Sequence, residues 1–157
     1  MRELVGRFER PVFSLCLRML RHRQDAEDVT QESLVRVCRH LRNWDRSREL
    51  LPWVLAIAAN RCRTALEKRS RRPAPTASLP EPVSPPPPAP TGLGEEVTLV
   101  LQELREDHRT CFVLFYEQEL PIIDISEIMG VPDGTIKTWL HRARKQVAER
   151  LRQRGYE

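Results

Sequence analysis

The chain of 157 residues carries 26 basic and 22 acidic side chains, a net charge of +4, with 40% apolar and 31% charged residues. That length holds one ordinary domain or two small ones and excludes a large catalytic barrel. No apolar run approaches the roughly 20 residues of a membrane-spanning helix, and Met1-Arg2-Glu3-Leu4 opens no export signal, so direct membrane insertion is not expected and the cytoplasm is the expected compartment.

In chain order, Leu4, Phe8, Val12, Leu15 and Met19 recur at helical spacing and predict a first helix. Val29, Leu34, Val37, Cys38 and Leu41 predict a second, with Asp25 as the acidic residue that begins it. A third is expected from Leu51-Pro52-Trp53 to about Arg72, because proline is tolerated in a first helical turn. Trp53, at its apolar start, is expected in the core rather than as a stacking platform for bases.

Nine of the 13 prolines then fall in residues 73–92, four of them consecutive at Pro85-Pro86-Pro87-Pro88. Proline fixes φ and lacks an N–H, so this stretch predicts an extended linker. At ~3.1 Å per residue it would reach at most roughly 60 Å, far enough to hold two units apart. Beyond it, Val97, Val100, Leu101 and Leu104 form another helical stripe, followed by the apolar run Cys111 to Tyr116. No period-two alternation appears. The expected fold is all-α: two small helical domains, 1–72 and 93–157, joined by a proline-rich linker, 73–92.

The small net charge conceals a partition. Residues 1–72 hold 17 basic and 9 acidic side chains, residues 93–136 hold 2 and 10, and residues 137–157 hold 7 and 2. Two separate basic surfaces suggest a two-point contact with a polyanion. The acidic surfaces are expected to serve a protein partner, and to shield the C-terminal basic helix in the free protein.

The most specific local pattern runs from Ile122 to His141. A helix-turn-helix needs a small residue where its helices cross, a turn residue free to take positive φ, and apolar residues that seat the second helix on the first. Ser126, Gly130 and the set Ile125, Met129, Val131, Ile136 and Leu140 supply these. On the second helix Ile136, Leu140, Ala143 and Val147 share one face, and Lys137, Thr138, His141, Arg142 and Lys145 share the other. Lys137, Thr138, His141 and Arg142 are the candidates for base or phosphate contact.

Enzyme chemistry finds no foothold. Cys16, Cys38, Cys62 and Cys111 stand too far apart in sequence for a zinc motif and are expected as reduced packing residues. There is no Gly-rich phosphate loop, and His108 with Cys111 has no identifiable third partner. No enzyme activity, cofactor or metal is expected.

Asp25 to Glu32, Pro52-Trp53 with Ile57-Ala58-Ala59-Asn60, the proline-rich break, and Glu127 to Lys137 followed by Arg142-Ala143-Arg144 together resemble the extracytoplasmic-function group of bacterial RNA polymerase sigma factors. The resemblance covers nearly the whole chain outside the linker. It implies a dissociable polymerase subunit whose N-terminal domain binds the polymerase clamp and melts the minus-ten element, and whose C-terminal domain reads the minus-thirty-five element as duplex. Carried over by motif position, Asp28, Gln31 and Glu32 would contact core RNA polymerase. Asn60 and Thr64 would approach an unstacked base, and Arg61, Arg63, Lys68, Arg69, Arg71 and Arg72 would supply cations for the melted strand. Thr135, Lys137, Thr138, His141, Arg142 and Lys145 would meet the minus-thirty-five duplex. The segment Arg42 to Glu49 matches the family's base-pocket loop, without an assigned residue.

Three positions depart from the family pattern: Thr64 stands where an acidic or amide residue is common, Ser126 where alanine is usual, and Trp139 where a polar or basic residue is more frequent. The resemblance also implies an anti-sigma factor as a separate chain. A helix-turn-helix regulator that binds duplex DNA without joining polymerase is the alternative; it leaves Asp25 to Glu32 and Arg61 to Arg72 without assigned work.

Overall fold

A computed structural model describes residues 1–71 and 92–157. The proline-rich stretch up to residue 91, and with it Arg72, lies outside the described residues. Helices α1 (Arg2–Leu20), α2 (Arg23–His40) and α3 (Leu50–Arg71) form the N-terminal half, with a 3-10 turn at Leu41–Asn43 after α2. Helices α4 (Leu93–Glu103), α5 (Glu106–Phe112), α6 (Ile122–Met129) and α7 (Asp133–Gln153) form the C-terminal half. No strand occurs among the described residues.

The apolar periodicities become the buried faces. Val12, Leu15 and Met19 of α1, Val29, Leu34 and Val37 of α2, and Val54, Leu55, Ala58 and Cys62 of α3 close around one core. Trp53 is half-buried and packs against it, as expected of a core residue. Cys16, Cys62 and Cys111 are buried, Cys38 is half-buried, and all four are free thiols.

The start of α2 differs from expectation. Asp25 does not begin the helix; His22 precedes it in extended conformation, and its Nδ1 accepts the Asp25 backbone N–H at 3.2 Å. An imidazole thus does the capping work usually given to a short oxygen side chain, which leaves the Asp25 carboxylate free to pair with Arg69 of α3.

The apolar run after α5 forms a π-helical turn over Val113–Glu117, closed by the Gln118 N–H on the Val113 carbonyl at 3.1 Å. The wider turn brings Tyr116 against both Phe112 and Phe115, with ring centroids 4.6 and 4.9 Å apart.

The larger difference lies between the halves. The reach of the linker suggests two modules standing apart, with spacing set by a partner. In the structure α6 packs on α3 and α5 on α1. The buried residues Cys111, Val113, Leu114, Leu120, Ile125, Ile128, Ile136 and Leu140 join the N-terminal core in one continuous cluster. A separate cluster lies between α4 and α7, built on Val100, Leu101, Leu104, Ala143 and Val147. Two small modules each lack the volume to bury all their apolar surface, and docking removes the remainder from water.

Candidate nucleic-acid interface

The helix-turn-helix follows from its turn chemistry. Gly130 ends α6 at φ 67°, the left-handed region that glycine enters without a Cβ clash. Its N–H and that of Val131 both donate to the Ser126 carbonyl, at 2.9 and 3.3 Å. The Ser126 hydroxyl, which a buried crossing must satisfy, donates to the Val131 carbonyl at 2.5 Å. Serine in place of the family's alanine therefore adds a clamp across the turn.

On α7, Ile136, Leu140, Ala143 and Val147 are buried as the spacing requires. Lys137, Thr138, His141, Arg142 and Lys145 are exposed on the opposite side, and Thr135 is half-buried in the first turn. The Thr138 hydroxyl donates to the Gly134 carbonyl at 3.0 Å. Trp139 turns inward, half-buried, with its ring 6.3 Å from that of His108. Packing thus takes the position that is more often polar in the family.

The exposed basic face of α7 is not shielded by the acidic stretch before it. Those carboxylates are used elsewhere: Glu117 pairs with Arg18, Glu127 and Asp124 meet Arg48, and Glu96 and Glu103 hold Arg154. Among the described residues Lys137, Arg142 and Lys145 have no carboxylate within ion-pair distance. Geometry explains the correction: those five carboxylates face the N-terminal half and the end of α7, and Asp133, which does stand in the exposed first turn of α7, forms no ion pair with Lys137, Arg142 or Lys145 among the described residues.

The N-terminal candidates fall into distinct groups. Asp28, Gln31 and Glu32 are exposed on one face of α2. Asp28 accepts from the Gln24 amide at 3.1 Å, and Glu32 pairs with Arg61 of α3. One residue from the polymerase set and one from the minus-ten set are therefore bound to each other. Asn60 is exposed, and Thr64, one turn on, donates its hydroxyl to the Asn60 carbonyl at 3.0 Å.

The cations diverge. Arg63 donates to the Asn60 side-chain oxygen at 3.2 Å and to the Ile128 carbonyl of α6 at 3.0 Å. Arg69 binds Asp25 and the Leu20 carbonyl, while Lys68 and Arg71 are exposed. Arg72 lies outside the described residues.

Sequence reasoning missed the residues that join the halves. Arg48, in the segment resembling a base-pocket loop, pairs with Glu127 at 2.6 Å and lies 4.0 Å from Asp124. That pairing holds the guanidinium further in its charged form, while burial and the nearby Glu127 raise the Asp124 carboxyl above its ordinary value. Arg18 reaches Glu117 at 2.8 Å, and Gln118 donates to the Pro11 carbonyl at 3.4 Å. A cation in a variable loop and acids on a distant helix carry no local signal of their pairing.

Described residues that are helical without a strand, with an exposed basic helix on an apolar helix-turn-helix, have the form of a DNA-binding protein. The comparisons narrow this. A Sigma-70 region 2 family model matches residues 4–72, and a Sigma-70 region 4 model matches residues 94–147. Among curated proteins, the ECF RNA polymerase sigma factor SigW of Bacillus subtilis is 29% identical over 168 residues, covering 96% of this chain and 88% of the relative. The RNA polymerase sigma-H factor of Pseudomonas aeruginosa is 28% identical over 162 residues, covering 94% and 84%.

The fold is shared with the sigma factor RpoE of Bartonella quintana, solved in complex with the anti-sigma factor NepR (TM-score 0.81, 20% identity, 96% of both chains). It is also shared with CnrH, solved with the cytosolic domain of CnrY (TM-score 0.67, 18% identity, 96% of this chain and 86% of that one). The chain belongs to the extracytoplasmic-function group of RNA polymerase sigma factors.

Proposed function

We propose that this sigma factor binds core RNA polymerase through the α2 face bearing Asp28, Gln31 and Glu32, captures the melted minus-ten strand along α3, and reads the minus-thirty-five duplex with α7. Residues 1–72 would form the polymerase and minus-ten unit, residues 93–157 the minus-thirty-five unit, and residues 73–92 the linker between them. On α3, Asn60 and Thr64 would meet an unstacked base. Arg61, Arg63, Lys68, Arg69, Arg71 and Arg72 would carry the strand's phosphates.

The observation that carries this reading is the division of α7. One face is fixed by buried Ile136, Leu140 and Ala143, and the other leaves Lys137, Thr138, His141, Arg142 and Lys145 exposed without a carboxylate partner among the described residues. A helix held this rigidly can place cations and hydrogen-bonding groups in a major groove without paying further ordering entropy. Thr135, at the helix start, is suited to the adjoining phosphate.

The mechanism is binding-driven opening of DNA, without covalent chemistry, in the cytoplasm where polymerase works. No helix among the described residues is long and apolar enough to cross a membrane. Arg63 would have to release the Ile128 carbonyl to reach DNA, and parting of α6 from α3 would free it. A separate anti-sigma chain would be the natural stabiliser of the docked form; RpoE was solved with the anti-sigma factor NepR, and CnrH with the cytosolic domain of CnrY.

Alanine replacement of Lys137, Thr138, His141 and Arg142 together is expected to abolish minus-thirty-five-dependent transcription while polymerase binding is retained. Loss of polymerase binding in that variant would overturn the assignment of the two units.

A further inference from the structure

A cleft of about 810 Å³ opens between the two halves, apart from the reading helix and from the exposed α2 face. Leu20 and Leu66 line its apolar part, and Arg21, Arg69 and Arg109 line the rest with Asp25 and Glu106, Arg69 donating to the Leu20 carbonyl and to Asp25. Arg21 and Arg69 come from the N-terminal half and Arg109 from α5.

Arg109 is the unusual member. It is only 4% exposed, yet no carboxylate lies within 4 Å of it among the described residues. One Nη donates to the Leu104 carbonyl at 3.2 Å, and its Nε has no partner among the described residues. Burial and Arg21 both press the guanidinium toward losing its proton, and Glu106 opposes them as the weakest of the three influences. A buried cation without a counterion is costly, because water no longer solvates it and nothing replaces the lost hydration.

The other charges in the cleft do not answer it. Asp25 is engaged by Arg69 and lies 3.6 Å from His22 Nδ1. Glu106, on the wall, forms no ion pair within 4 Å among the described residues. Arg21 is exposed, set at the end of α1 with φ 58°.

We propose that this cleft is a binding site for a small phosphate-bearing anion, which Arg109 would hold from α5 and Arg21 and Arg69 from the N-terminal half. Guanidinium groups match phosphate oxygens with paired donors, and the volume suits a small organic phosphate over an apolar floor. Because the ligand would bridge both halves, it would favour the docked arrangement and bind the parted one poorly. The inference concerns occupancy of the cleft and needs neither polymerase nor DNA, so it stands or falls apart from the promoter-reading assignment.

The test is thermal unfolding of the full chain in inorganic pyrophosphate, against sodium chloride at matched ionic strength. Saturating pyrophosphate is expected to raise the wild-type melting temperature by roughly 5 °C with a hyperbolic dependence, and chloride is not. Arg109→Met, which replaces the buried cation with an apolar chain of similar length, should fold at least as well as wild type and lose the pyrophosphate response. Arg21→Gln, on the exposed rim, should weaken the apparent affinity about tenfold. An equal effect of chloride, or no wild-type shift, would overturn the proposal. So would a response that persists in Arg109→Met and vanishes when Lys137 and Arg142 are replaced, since the anion would then sit on the reading helix.

Discussion

Arg63 of α3 donates a hydrogen bond at 3.0 Å to the carbonyl of Ile128, a residue of α6 that stands 65 positions later in the chain. A residue matched by resemblance to melted DNA is thus occupied by the other half of the same protein. The contact lies at the last turn of α6, where helix carbonyls lack intrahelical partners and a cation is favoured. Replacing Arg63 by alanine is expected to cost about 1.5–3 kcal/mol of docking free energy, the range for a hydrogen bond from a charged donor. Small-angle scattering should show a larger radius of gyration, and an unchanged radius would show that apolar packing and the Arg48–Glu127 and Arg18–Glu117 pairs hold the halves without Arg63.

Glu32 and Arg61 offer a way to separate two roles. Their ion pair joins α2 to α3, with both groups partly exposed, so it contributes little to stability, about 0–1 kcal/mol. The charge swap Glu32→Arg with Arg61→Glu should keep the melting temperature close to wild type yet weaken binding to core polymerase. Retained affinity in a pull-down would show that Glu32 serves only the helix pair.

His108 predicts acid sensitivity. The ring is buried, and among the described residues neither nitrogen makes a well-formed hydrogen bond, although the Gln146 side chain lies beside it. Burial holds its pKa below the ordinary histidine value; nearby Arg105 and Arg142 push the same way, while Gln146 and Asp107 favour the charged form. The unfolded chain therefore binds a proton that the native state refuses. Stability from this group is fully present above an ordinary histidine pKa of about 6.5 and is lost as pH falls toward the depressed folded value. Urea midpoints should fall between pH 7.5 and pH 5, and His108→Leu should flatten that dependence; an equally steep profile in the variant would assign the effect elsewhere.

Gly130 isolates a backbone effect. A Cβ there would meet nothing within 4 Å, but φ is 67°. Gly130→Ala should destabilise by about 1 kcal/mol through the left-handed conformation alone, and Gly130→Asn by less. Chemical denaturation would measure both; a neutral alanine would mean that the turn rearranges.

Much of the fold was legible because helices report themselves locally. Ile136, Leu140, Ala143 and Val147 announce their shared face by spacing alone, and Gly130 announces its turn by the backbone freedom it supplies. The start of α2 was less legible, since histidine is an uncommon cap and Asp25 mimics the usual signal. The candidate residues of α3 were placed on the right helix but not on a common surface: Arg61, Arg63 and Arg69 are drawn to Glu32, Ile128 and Asp25 in turn.

The amino-acid order by itself determined the helices, the helix-turn-helix and the family, because each depends on residues within a few turns of one another or on motifs read in series. Only the tertiary structure decided that the two halves share a core, that Arg48 and Arg63 clasp α6, and that Arg109 is buried without a counterion among the described residues. Those outcomes depend on which surfaces meet after the helices have formed. Contacts between residues 65 or 79 positions apart leave no periodicity in the chain. The net charge of +4 likewise says little until folding sets which acids neutralise which bases and leaves the face of α7 bare.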